Sequence, residues 1–84
     1  MEIEFDPAKD EINIAKHGIS LAAAVGLDIR EVVRDAREYA EERFNAYGLI
    51  DGKTYCLTFC RREGRFRAIS LRRTHAKEHR RHVV

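Results

Sequence analysis

Nine cations crowd residues 61–84: Arg61, Arg62, Arg65, Arg67, Arg72, Arg73, Lys77, Arg80 and Arg81. Eight are arginines, whose planar guanidinium forks suit phosphate oxygens better than the point charge of a lysine. Such a run can hold a polyanion through phosphate contacts and counterion release; a solvated basic face is the plain alternative. Three histidines stand in the same stretch. His75, His79 and His82 follow spacings of four and three, with Glu78 beside them, so all four can share one side of a helix. A histidine pair at i, i+4 can hold zinc, but no thiolate lies nearby in sequence and no third ligand is specified, so neither metal nor cofactor is expected. A histidine beside arginines at a helix start can instead exchange protons near neutral pH, and His75 is the best placed to do so. His79 and His82 read as solvated helix surface. His17, near the end of the first helix, suits the dipole there.

If RNA is the substrate, cleavage without metal requires the 2′-hydroxyl to attack the adjacent phosphate. A base must take its proton, an acid must protonate the leaving 5′ oxygen, and cations must stabilise the added phosphate charge. The arginines meet the last need; His75, Glu78 or a tyrosine such as Tyr55 can meet the first two. Cys56 and Cys60 are four strand positions apart, roughly 13 Å at about 3.3 Å per residue, beyond disulfide reach and too far to chelate one metal together. They read as free thiols.

The elements that must position these groups are marked by local chemistry. Glu2 to Phe5 alternates acidic and apolar and is short enough for an edge strand. Asp6 is a good N-cap, Pro7 fits the first helical position, and Gly18 can close the helix in the left-handed conformation. Between them Ala8, Ile12, Ala15 and Ile19 form an apolar stripe that predicts the core face, while Lys9, Asn13 and Lys16 form a polar stripe beside it. Ser20 can cap a second, short helix that Gly26 would end. Residues 29–42 stay open: Val32, Val33, Ala36, Tyr39 and Ala40 fit a helical stripe, but Ile29 and the paired valines also fit a strand followed by an acidic loop. From Arg43 the period is two. Three antiparallel strands are predicted, separated by Asp51-Gly52 and Glu63-Gly64 turns. Alternation sets Tyr55, Leu57 and Phe59 against Cys56, Thr58 and Cys60, and places Arg67 with Ile69 and Leu71 on a largely apolar face. There Arg67 needs an anion or a carboxylate such as Glu42, since a buried guanidinium without a partner is costly. A last helix is predicted from about His75 to His82, with Thr74 as its cap.

With 84 residues the chain has room for one small core, so a single domain over 1–84 is expected, of α+β class. Hydrophobic residues make up 44% and charged residues 36%, which excludes a disordered tail, and no apolar run approaches the roughly 18 residues of a membrane span. The start lacks a secretory pattern, making the cytoplasm the expected compartment. The +2 net charge is unevenly spread. Residues 1–60 hold seven Lys/Arg and twelve Asp/Glu, net −5, against nine and two, net +7, in residues 61–84. The acidic part can therefore shield the basic tail within one fold.

Taken together, Phe5-Asp6-Pro7-Ala8-Lys9, Asn13 with Lys16-His17-Gly18-Ile19-Ser20, Glu41-Glu42-Arg43, Tyr55 to Phe59 and Arg65 to Glu78 resemble the BrnT toxins of bacterial type II toxin-antitoxin systems. The resemblance spans nearly the whole chain. It implies a RelE-like fold, a curved antiparallel sheet packed with N-terminal helices and a C-terminal helix. It further implies a ribonuclease that blocks translation and a BrnA-like ribbon-helix-helix antitoxin that neutralises it in a hetero-oligomer and carries it to operator DNA. By matched position, Arg67, Arg72, His75 and Glu78 become candidate catalytic residues, and Lys9, His17, Arg43, Arg62 and Arg73 candidate RNA-binding residues. The chain departs from the family pattern at Cys60, where threonine is common, at Thr74, where alanine is common, and at its end, where His82-Val83-Val84 replaces an aromatic residue. A basic binding module without catalysis is the alternative reading of the same charges.

Overall fold

A computed structural model describes residues 2–35 and 41–82. Five strands form one sheet: β1 (Ile3–Glu4), β2 (Asp28–Arg34), β3 (Arg43–Ile50), β4 (Lys53–Arg62) and β5 (Arg65–Arg73). Their spatial order is β1-β5-β4-β3-β2. All neighbours are antiparallel except β1, which pairs parallel with β5. Helix α1 (Pro7–His17), a 3₁₀ segment (Leu21–Gly26) and helix α2 (Ala76–His82) complete the expected α+β fold.

The local signals act as their chemistry requires. Asp6 accepts from the Ala8 amide, Pro7 opens α1, and Gly18 closes it at φ 71°. Asp51 and Gly52 take φ values of 49° and 76°, and Glu63 and Gly64 take 54° and 77°. Two successive positive φ angles define the tight turns whose twist matches an antiparallel hairpin, so β3, β4 and β5 form a continuous meander. The open segment resolves as a strand over Asp28–Arg34; Ala36, Tyr39 and Ala40 of the helical alternative lie outside the described residues. Gly48 sits where β3 meets β2: a Cβ there would lie 2.2 Å from the Asp28 carbonyl oxygen. Only glycine permits that approach.

One face of the sheet, hereafter the closed face, is sealed by the 3₁₀ segment. Leu21, Ala24 and Leu27 pack on Ala46, Leu57, Phe59, Ala68 and Leu71, and Phe59 stacks on Phe44 and meets Phe66 edge-on, each at 5.6 Å. Helix α1 does not dock as its apolar stripe predicts. Ala8, Ile12 and Ala15 face solvent, Ile12 being 60% exposed, whereas Asn13 from the polar stripe is 4% exposed. The reason lies in β5. Strand β1 is two residues long, so beyond it the outer edge of β5 offers the Leu71 N–H and C=O without a strand partner. The Asn13 amide fills that place: Oδ1 accepts from Leu71 N at 3.0 Å, while Nδ2 donates to Leu71 O and Ile19 O at 2.9 Å. Satisfying a buried backbone pair outweighs burying one more isoleucine.

A second correction concerns β5. Its register with β4 passes from Thr58↔Ser70 to Phe59↔Ala68, leaving Ile69 as an extra residue. A bulge reverses the alternation on either side of it. Arg67 therefore shares a face with Ser70 and Arg72, opposite Leu71, and not the apolar face that strict alternation predicts.

The cap of α2 also differs from expectation. The Thr74 hydroxyl bonds the Thr54 hydroxyl at 2.6 Å. His75 is the cap instead: its carbonyl accepts from the His79 amide, and its own N–H donates to Glu78 Oε1 at 3.1 Å. A glutamate three residues into a helix reaching back to the cap N–H is half of a capping box.

Candidate active site

The face opposite the core, hereafter the open face, carries three rows of side chains set by strand register. Arg43, Cys60 and Arg67 stand opposite one another across β3, β4 and β5; Asn45, Thr58 and Ser70 form the next row, and Tyr47, Cys56 and Arg72 the third. Pairing of this kind places side chains on one face within reach of their neighbours. The bulge at Ile69 is what brings Arg67 into line with Arg72. Thr58 donates to Asn45 Oδ1 at 2.8 Å, fixing the central row.

Carboxylates tune this face. Arg72 Nη1 and Nη2 meet Glu78 Oε1 and Oε2, both at 2.8 Å, a two-pronged pair that fixes the guanidinium plane. With the Arg72 bonds first among the causes, and the His75 N–H adding to them, the Glu78 pKa falls to about 2. The same bonds raise that of Arg72. Arg67 faces Glu4 of β1 at 3.7 Å, and not Glu42, which pairs with Arg34 at 3.0 Å. Glu41 takes Arg62 Nη2 at 3.1 Å and the Cys60 thiol at 3.5 Å, and these contacts, the thiol's first, lower its pKa. Of the acidic stretch at 38–42, Glu41 and Glu42 are thus engaged with arginines, while residues 38–40 lie outside the described residues. Cys56 and Cys60 are free and buried, and burial pushes both thiols up, which removes them as nucleophiles.

Of the nine candidates, the sheet gathers Arg43, Arg62, Arg67 and Arg72 on the open face, with Glu78 clamped above. His75 is exposed at the start of α2. Arg73 alternates to the opposite face, its guanidinium 5.5 Å from the Tyr55 ring, and Tyr55 goes with it. Lys9 and His17 are exposed on α1, which grips the outer edge of β5 through Asn13. A cleft of about 810 Å³ between β1, Val25 and the start of β5 is lined by none of the nine.

One residue read as solvated surface is not so. His82 lays its ring on Tyr47, centroids 3.9 Å apart and planes 13° from parallel, and its Nδ1 lies 2.8 Å from Glu31 Oε2 on β2. Its side chain is 14% exposed. Helical spacing alone shows only the face of α2, and the Glu31 and Tyr47 partners lie 51 and 35 positions away. Beneath it Tyr47 and Cys56 pack with Val33 and Leu49, and burial above all pushes the Tyr47 pKa to about 12.

Residues 5–78 match the family model described as the ribonuclease toxin, BrnT, of type II toxin-antitoxin system. The chain belongs to the BrnT family. The crystal structure of the Brucella abortus ribonuclease toxin BrnT, solved at 1.1 Å, is similar to this chain at a TM-score of 0.71 and 26% identity, over 89% of this chain and 97% of that one. No curated protein matches the sequence. The BrnT match ends at Glu78, so the clamped arginine pair lies within the family region while His82 lies beyond it. Among the described residues no helix is long and apolar enough to cross a membrane, and no group of three or more metal-ligating side chains converges.

Proposed function

We propose that this BrnT-family toxin is an endoribonuclease that cleaves RNA on its open face without metal, and that it inhibits translation. The observation that carries this reading is that strand register sets Arg43, Arg67 and Arg72 on one face, with Arg62 beside them. Guanidinium groups gathered on one face supply the cationic stabilisation that attack by a 2′-hydroxyl demands. Arg67 and Arg72 are assigned to the reacting phosphate, Arg43 and Arg62 to its neighbours. Glu78 acts as a positioning residue: a carboxylate of such low basicity is a poor proton acceptor but a firm hold on Arg72. Lys9, His17 and Arg73 supply charge away from the face, and exposed His75 meets substrate only as it enters.

Partners follow from the family: an antitoxin, proposed to be BrnA-like and of ribbon-helix-helix form, that covers the open face and takes the complex to operator DNA in the cytoplasm. The test is direct. Purified chain, stripped of metal and held in chelator, is expected to cut RNA into fragments ending in 2′,3′-cyclic phosphate. Intact RNA at high protein concentration, with the chain folded, contradicts it. Because carboxylates already face Arg62, Arg67 and Arg72, a second reading is a binding module without chemistry; RNA binding that falls steeply with salt and yields no fragments would favour it.

A further inference from the structure

We infer that His82, held by Glu31 and Tyr47, is the group that takes the proton from the attacking 2′-hydroxyl; this inference rests on the ribonuclease reading above. The reaction needs a base on the open face, and the residues first considered for it do not serve. Glu78 is engaged by both prongs of Arg72, Tyr55 is on the closed face, and His75 is held by its backbone as a helix cap with its ring exposed and nothing orienting it among the described residues. His82 has what a proton-transfer histidine requires. Glu31 Oε2, 2.8 Å from Nδ1, favours the tautomer with the hydrogen on Nδ1 and leaves the Nε2 lone pair to accept. Among the described residues, Nε2 has no hydrogen-bond partner. The Tyr47 ring fixes the imidazole plane, and the Glu78 clamp fixes the helix that carries it, so little side-chain freedom is lost on reaction.

His82 meets Glu31 on β2 and Tyr47 on β3, and Tyr47 in turn has Cys56 on β4, Arg72 on β5 and Glu78 on α2 around it. Tyr47 lies directly across from Cys56, and Cys56 from Arg72, so the imidazole and the clamped guanidinium border the same row. A phosphate held at Arg72 would bring its 2′-hydroxyl toward Nε2. In the step, the O2′–H proton passes to Nε2 and the O2′–P bond forms. The P–O5′ bond then breaks with its electron pair on O5′, which takes a proton from water, while the imidazolium returns its proton to solvent. Glu31 stabilises the transient imidazolium and is the positioning residue.

His82→Phe keeps a ring on Tyr47 and abolishes proton transfer; His82→Ala opens a space that free imidazole can enter. With RNA in steady-state assays, His82→Phe is expected to lower kcat about 100-fold or more with KM little changed, in line with loss of a general base. His82→Ala should be equally slow and regain activity on adding imidazole, which His82→Phe should not. Glu31→Gln should fall about tenfold and respond to imidazole little, since its own histidine is in place. Wild-type kcat in His82→Phe, or a loss expressed only as raised KM, would overturn the assignment while wild-type cleavage left the ribonuclease reading standing. Wild-type chain that leaves RNA intact would overturn both.

Discussion

The two faces of the sheet are built on opposite principles. On the closed face, Leu21, Leu57 and Leu71 have almost no exposure, and removing each from water contributes about 1.5–3 kcal/mol. On the open face, α2 buries none of its described residues, and the contacts seen there are Glu78 on Arg72 and His82 on Glu31 and Tyr47. Adjacent residues of a single strand serve both sides, as Leu71 and Arg72 do. The contrast teaches that a small domain can keep its stability on one face and leave the other to charge, since the apolar layer holds the fold while the arginine rows are left for the role proposed for them.

The largest expected effect comes from breaking the closed face. Leu57→Ala should cost about 2–5 kcal/mol, seen as a lower denaturant midpoint, a large part of the roughly 4–13 kcal/mol available to a chain of this size. On the open face, Arg72→Ala should leave the apolar core intact by circular dichroism yet lower RNA cleavage about 100-fold, as loss of a charge-stabilising donor does. Asn13→Ala sharpens the comparison from the closed side. It strands the Leu71 N–H and C=O and should cost about 1–3 kcal/mol by chemical denaturation, without a specific loss of cleavage. The smallest effect is the acid response of the α2 clamp. Glu78 has a folded pKa of about 2 against an ordinary 4.5, so its contribution to stability is full above about pH 4.5 and is lost as pH falls toward 2. Glu78→Gln should flatten that part of the melting-temperature profile.

What was legible in the sequence was what depends on neighbours along the chain. Asp6, Pro7 and Gly18 bound α1, and Asp51-Gly52 and Glu63-Gly64 set the meander, because caps and tight turns are decided within a few residues. The family resemblance, carried by short motifs between Phe5 and Glu78, led to the right family. The face of Arg67 was not legible, since a bulge at Ile69 answers to β4 and leaves no mark in a pattern of period two. Nor was the burial of Asn13: its partner Leu71 is 58 residues away, and the need it meets exists only because β1 is short. His82 escaped for the same reason, its meaning lying in Glu31 and Tyr47. Of the nine candidate residues, register placed four arginines together, while Lys9, His17 and Arg73 went elsewhere.

The central claim, that phosphodiester cleavage belongs to the open face alone, is tested most directly by initial rates of RNA cleavage for Arg67→Ala beside Lys9→Ala, at equal concentrations of folded protein. The account predicts a fall of about 100-fold for Arg67→Ala and a rate within about twofold of wild type for Lys9→Ala, as for an exposed charge far from the reaction. A collapse in Lys9→Ala with Arg67→Ala near wild type would contradict it.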